Sequence, residues 1–265
     1  MGDADTVGDS GIWASDGSTL HLVLRHGEPA PGFGAGCVPL ANMGASDPSV
    51  LIDFPRFPDI DSSGRVVVIS SLTGCSVGRA SDVVWTWKDG SLDRLFVPSE
   101  PSLLFDAVTS ESGVMAFSGS SSNDVLWTAV GETVGVLVTT GALFEHGAGS
   151  GSLSAIHPFG LSVNDAGRVV FVGETMAPGG ARSGLLAAGG GDNRVIAQEG
   201  GAAPGTGGAV FADMAPGTLP VTLPDFKITE TGRVVFAAWL EPGVGMPTRP
   251  TTSVSGPSRR TRGCR

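Results

Sequence analysis

Cysteine is scarce in this chain: Cys37, Cys75 and Cys264 make an odd count with no Cys-x-x-Cys spacing. Such a set supports neither a zinc site nor a disulfide-dependent scaffold, and a Cys37–Cys75 bridge is a candidate only in an oxidising compartment. Charge is also sparse, at 16% of residues, and together with a mean hydropathy of +0.19 this argues against global disorder. No apolar run reaches membrane-spanning length, so no membrane-spanning segment is expected. The start, Met1-Gly2-Asp3-Ala4-Asp5-Thr6, lacks the basic and apolar regions of a signal peptide. As written the chain is expected in the cytoplasm, whereas as part of a longer precursor it is expected outside the cell or at its surface. Helical periodicity is missing throughout, which disfavours α/α and β-α repeats.

What the chain does have is glycine and proline, 41 and 18 among 265 residues, with apolar residues still at 41%. Without a glycine at every third place this excludes collagen and places the excess in turns between many short strands. The formal net charge is -10. An acidic body repels phosphate backbones, so no nucleic acid partner is expected. After Thr248 the tail carries five arginines and no acid, and reads as a disordered basic end.

One phrase is written four times. Asn164-Asp165-Ala166-Gly167-Arg168-Val169-Val170-Phe171 is a polar turn followed by a β-branched and aromatic strand. Asp61 to Ile69, Ser110 to Phe117 and Thr229 to Ala237 repeat it, and the turn glycines Gly64, Gly113, Gly167 and Gly232 stand 49, 54 and 65 residues apart. A glycine there in every unit is consistent with a need for positive φ. A second phrase, the aromatic strand, recurs at Trp13, Trp85 and Trp127, with Leu186 in the fourth unit, and reads as packing between repeats. A third, Gly27 to Gly34, returns in its Gly and Pro spacing at Gly200 to Gly207. The latter pair lacks the Gly-Lys-Ser/Thr ending and helix of a phosphate loop, and reads as a stiffened connector.

These phrases predict an all-β, propeller-like array of about four units, each of four short antiparallel strands, as a four-bladed or incomplete ring. The units fall at about 11–81, 82–123, 124–182 and 183–247, after a polar lead at 1–10 and before the tail at 248–265. The repeated turn is expected to close each blade, and a Gly-rich loop is expected from Gly141 to Ser154.

The turn phrase, the Gly-Ile-Trp strand at Gly11 to Trp13 and the Ala-Pro-Gly loops at Gly27 to Gly32 and Gly200 to Gly205 together resemble a bacterial tandem-repeat family with the motif Asn-x-x-Gly-x-Val-Ala-Phe, the choice-of-anchor repeat proteins. The resemblance covers about residues 11–241. It implies a propeller-like secreted or surface-anchored protein. Asp61, Ser110 and Thr229 replace the motif's Asn in three units, and the second unit lacks the Ala-Pro-Gly loop.

Candidate chemistry is thin. His26 with Glu28, and Asp59 with Asp61, are the candidate acid and base residues of a polysaccharide-acting hydrolase or lyase. Asp59 with Asp61, and Asn164 with Asp165, also offer hard oxygens, but no dense Asp-x-Asp-x-Asp loop supports a Ca2+ site, and no metal or cofactor is expected. Each of these residues has a simpler reading as an Asx turn that satisfies its own backbone. His21, His26, His146 and His157 are scattered, with no i, i+4 pair, and no Gly-x-Ser-x-Gly elbow is present. Trp87 and Trp239 stand off the aromatic register and are candidates for stacking on a sugar or peptide. The leading expectation is a non-enzymatic binding module of a bacterial secreted or surface protein, with a carbohydrate or protein ligand. The alternatives are the hydrolase or lyase, and a fragment of a larger propeller.

Overall fold

The computed structural model describes residues 11–15, 17–25, 28–33, 38–40, 58–73, 82–99, 103–146, 149–177, 179–214 and 225–242. The fold is all β. The expected lead, the tail, His26 and all three cysteines lie outside the described residues.

Strands β1 (Gly11–Ser15) and β2 (Leu20–Arg25) form a hairpin. Strands β3 (Val38–Leu40) and β4 (Asp59–Ile60) pair with opposite ends of β5 (Val66–Thr73), and β6 (Asp82–Lys88) and β7 (Ser91–Phe96) follow antiparallel on its other edge. Strands β8 (Leu103–Thr109), β9 (Val114–Ser120), β10 (Asp124–Val130) and β11 (Thr133–Thr139) make a four-stranded meander. Next come β12 (Leu143–His146), β13 (Gly149–Val163), β14 (Val169–Ala177), β15 (Gly180–Ala188) and β16 (Arg194–Gln198). They pair antiparallel in order, and one parallel bridge, Glu145 to Arg194, joins β12 to β16 as a partial ring. Strand β17 (Val210–Phe211) pairs with β20 (Leu240–Glu241), and β18 (Phe226–Ile228) with β19 (Val234–Phe236).

The strands after the repeated turns are apolar without alternation because both of their faces are covered. On β5, Val66 and Val68 pack towards the β1–β2 hairpin, while Val67 and Ile69 pack towards β8 and β9. On β9, Met115 and Phe117 face the β5 sheet, and Val114 and Ala116 face β13 and β14. On β14, Val169 and Phe171 face the β9 sheet, and Val170 and Val172 face β18 and β19. The sheets therefore stack in chain order, and each post-turn strand is shared between two cores. On the aromatic strand the recurring residue faces the preceding sheet. Trp85 is fully buried towards the β1–β2 hairpin, and Trp127 stacks on Phe117 with ring centres 5.6 Å apart.

Two expectations change. The repeated turn does not close a sheet but joins its first and second strands, as in β8, turn, β9, counting from β4 in the β5 sheet and from β13 in the ring, where β12 is an addition. Each four-stranded sheet thus takes two strands from one sequence unit and two from the next, because hydrogen bonding follows the hairpin and not the unit boundary. The stretch expected as loop from Gly141 to Ser154 contains β12 and the start of β13. Gly151 pairs there because its bare Cα admits a neighbouring strand: a Cβ would lie 3.0 Å from the Met176 carbonyl oxygen.

Candidate functional site

Among the described residues, the repeated turns are the most highly organised polar feature. In each, the first residue's N–H donates to the carbonyl four residues on: Asp61 to Arg65, Ser110 to Val114, Asn164 to Arg168 and Thr229 to Arg233, at 2.8–3.1 Å. The glycine N–H donates back to the first residue's carbonyl in all four. The first side chain then accepts the returning N–H: Arg65 on Asp61 Oδ1 at 3.0 Å, Val114 on Ser110 Oγ at 3.1 Å, Arg168 on Asn164 Oδ1 at 2.9 Å and Arg233 on Thr229 Oγ1 at 3.1 Å. An oxygen on a short side chain is what the position requires, so Asp, Ser, Asn and Thr alternate there. The four glycines have φ of 79°, 87°, 73° and 77°, in the left-handed region.

Successive turns also bond to one another. Ser62 donates from N–H and hydroxyl to the Glu111 carbonyl, and the Arg65 guanidinium reaches the Gly113 carbonyl at 2.7 Å. Ser112 N–H donates to Asp165 Oδ1 at 2.8 Å, Asp165 N–H to Glu230 Oε2 at 2.7 Å, and the Asn164 amide to the Thr229 carbonyl at 3.2 Å. The four turns form a ladder, with β4, β8, β13 and β18 beside it. These strands are cross-linked in the same way: Asp59 accepts from Thr109 N–H at 2.8 Å, Asp106 from Gly160 N–H at 3.2 Å and Ser162 from Ile228 N–H at 3.1 Å.

The electrostatics follow from these bonds. Burial works to raise the Asp61 pKa, but donors from Ser63 and Arg65 outweigh it and hold the carboxyl below its usual range. The Ser110 hydroxyl, then Ser112 through N–H and hydroxyl, lower that of exposed Asp165. Burial pushes the Asp106 carboxyl up despite N–H donors from Gly160, Ala107 and Leu161, and the charge of Asp59 adds to the rise.

A second set of ties was not visible in the sequence. In the second, third and fourth units the residue three before the aromatic-strand marker accepts an N–H from a segment beyond its own sheet. Asp82 takes Leu104 N–H at 2.6 Å, Asp124 takes Ile156 N–H at 2.9 Å and the Ser183 hydroxyl takes Met214 N–H at 2.9 Å. The recurring Asp-x-x-Trp at Asp82–Trp85 and Asp124–Trp127 was the available signal.

The candidate residues are therefore dispersed into structural roles. Asp61 is buried and also takes Ser63 N–H, the Ser63 hydroxyl and Arg65 Nε at 2.7–3.0 Å. Asp59 holds Ile60 N–H as well as Thr109, and exposed Glu28 pairs with Arg25 at 3.4 Å. The structure places Glu28 after the β1–β2 hairpin and Asp59 on β4, so they do not share a turn. Trp87 is 8% exposed and packs beside Trp85, which leaves its ring no open face, while Trp239 is 68% exposed. Trp13, expected as packing, is 52% exposed, because among the described residues no sheet covers its face of the hairpin. His21 lies against Trp87, His146 is exposed on β12, and His157 Nε2 sits 3.5 Å from Glu174. Among the described residues no three His, Cys, Asp or Glu side chains converge to hold a metal ion.

The glycine-rich loops also resolve into turns. Ala30-Pro31-Gly32-Phe33 is closed by Phe33 N–H on the Ala30 carbonyl at 3.2 Å, with Gly32 at φ 71°. Those features make it a type II turn. Gly205 repeats this at φ 78°, and the equivalent alanines Ala30 and Ala203 are both buried. No helix among the described residues is long and apolar enough to cross a membrane, which leaves crossing by strands unaddressed.

No curated protein and no solved structure matches the chain. Residues 104–250 do match a family profile, and they include three of the four rungs of the turn ladder with their post-turn strands. On that match, the chain belongs to the Family of unknown function (DUF7453).

Proposed function

We propose that this chain is a non-enzymatic, propeller-like repeat module of a bacterial secreted or surface protein, which presents variable loops and an exposed aromatic face to a carbohydrate or protein ligand. The observation that carries it is the commitment of the turn oxygens. Every first residue of the repeated turns, and both Asp59 and Asp61, spends its side chain on backbone N–H groups of its own or the next unit. A carboxylate held by four donors, with its pKa lowered, is poorly suited to give a proton as a general acid. Variation is concentrated instead in the connections, as in binding proteins where a rigid scaffold carries changing loops. Face-to-face stacking of sheets with the aromatic strand third in each supports the propeller-like reading. The resemblance of the turn phrase to the choice-of-anchor repeats supports the bacterial, extracellular setting.

Trp239 is the residue on which a sugar ring or peptide side chain would stack. It lies beside exposed Leu240, and its carbonyl is fixed by Ala212 N–H at 3.0 Å. The test is to screen the purified chain against immobilised polysaccharides and peptides, and to assay the same polysaccharides for new reducing or unsaturated ends. Binding without cleavage, weakened about tenfold by Trp239→Ala, is expected from loss of one aromatic contact. Cleavage that disappears in Asp59→Asn would overturn the proposal in favour of a hydrolase or lyase.

A further inference from the structure

The two ends of the described array are half-sheets, and they are complementary halves. Strands β18 and β19 flank the repeated turn at Thr229 to Gly232, so they are the first and second strands of a sheet. Strands β1 and β2 are the third and fourth. They share an irregularity with the complete sheets: the pairing of third with fourth strand slips at Val84/Trp85, at Leu126/Trp127 and at Leu185/Leu186, and β1 with β2 slips at Ile12/Trp13. A bulge immediately before the aromatic marker identifies β1 as the counterpart of β6, β10 and β15.

The three complete sheets also fix how such halves meet. The marker of the third strand lies opposite the residue four after the turn glycine in every case: Trp85 opposite Val68, Trp127 opposite Phe117, and Leu186 opposite Phe171. Carried to the half-sheets, this register puts Trp13 opposite Phe236 and Ala14 opposite Val235. Two of the exposed apolar residues, Trp13 and Val235, are then accounted for. Markers face the preceding sheet, so Trp13 at 52% exposure would lie over the β14–β15 sheet beside Phe236. The third residue after the turn glycine faces the following sheet, as Val67, Ala116 and Val170 do. Val235, now 69% exposed, would lie under the β5–β6 sheet.

One copy does not make this pairing. β1 pairs with β2 and β19 with β18, although the first hairpin is already seated on the β5–β6 sheet and the last on the β14–β15 sheet. Each consecutive pair of turns shares hydrogen bonds, but among the described residues the fourth and first turns share none. We propose that the edge of β19 is an interaction surface for the β1–β2 hairpin of a second copy of this chain, docked antiparallel with Trp13 opposite Phe236. The contact is head-to-tail, so it either closes on itself after a small number of copies or extends. It does not rest on the binding role proposed above.

The experiment uses the full chain with Cys37, Cys75 and Cys264 changed to Ser, carrying either Ala14→Cys or Val235→Cys. Mixed and oxidised, the two single variants are expected to give a disulfide-linked species of twice the chain mass that neither gives alone. Val235→Cys mixed with Ser18→Cys, a position in the β1–β2 turn off the predicted register, serves as the control and should give little. A double variant that links only within one chain would overturn the proposal, showing that a copy's own hairpin fills the edge. So would an unlinked mixture whose far-ultraviolet circular dichroism matches that of the parent. Should the cysteine variants fail to fold, sedimentation of the unmodified chain decides: association growing with concentration is expected, and a monomer at every concentration would overturn it.

Discussion

Gly113 and Gly167 share a turn position and a positive φ, yet their surroundings differ. A Cβ at Gly167 would meet nothing within 4 Å, whereas at Gly113 it would collide with the Arg65 guanidinium and the Asp61 carboxylate. Gly167→Ala is therefore expected to cost about 1–2 kcal/mol from backbone strain alone. Gly113→Ala should cost more, since it also separates Arg65 from its carbonyl acceptor, and paired urea titrations would check the order. The carboxylates set the response to pH. Asp61 and Asp165 have lowered pKa values, so their contribution is present above the ordinary carboxylate range and is lost as pH falls through their folded values. Asp106 is raised, so its folded state binds the proton more tightly, and stability falls as pH rises from the unfolded to the folded pKa. Asp106→Asn is expected to remove that loss while keeping an oxygen for Gly160 N–H, and Asp165→Asn to shallow the decline in acid; urea titrations across pH would show both. At this scale the turn was legible in the sequence, since a glycine and a short polar side chain recur at fixed offset. Asp82 and Asp124 recur three before a Trp, but their acceptor role was not legible, because the N–H each receives belongs to a segment beyond its own sheet and a main-chain partner leaves no mark in the sequence.

The element that organises the fold is the post-turn strand, and its sharing between two cores makes it costly to alter. Phe171 is fully buried and meets Phe144 edge-on at 5.9 Å. Phe171→Ala should cost about 3–5 kcal/mol. Slow amide exchange on β9 and β14, with faster exchange on β2, β11 and β19, is the expected pattern, because β9 and β14 carry neighbours on both edges and both faces. Asp82→Ala would leave the Leu104 N–H without its acceptor in a buried setting, at about 1–3 kcal/mol. Thermal melts of that variant beside Glu132→Ala, at an exposed acid, would separate the tie from a simple loss of charge. The all-β class and the β-branched and aromatic strand after each turn were plain from the sequence. The phase of the sheets was not, since a phrase repeated in tandem can be cut at any point with equal regularity, and only the hydrogen bonds decide which cut is a sheet. Trp87 is instructive in the same way: two residues beyond Trp85 on one strand, it shares that residue's face and its burial by the period of the pleat.

Over the whole molecule, contacts run mainly between consecutive sheets, as in quasi-one-dimensional arrays whose stability is a sum of units and interfaces. The offset between sequence unit and sheet has a consequence for how such a chain changes length. Every turn has the same internal bonds, so a recombination that joins one turn glycine to another produces no foreign junction. Deleting the 54 residues from Val114 to Gly167 would attach Gly113 directly to Arg168, placing β8 beside β14 with β15 and β16 after it. The new hairpin is of the native kind, and the copy number of sheets falls by one with none left half-built. Gene segments cut at the turns can in this way be gained or lost in whole steps, and the point of exchange would leave no scar in the folded protein.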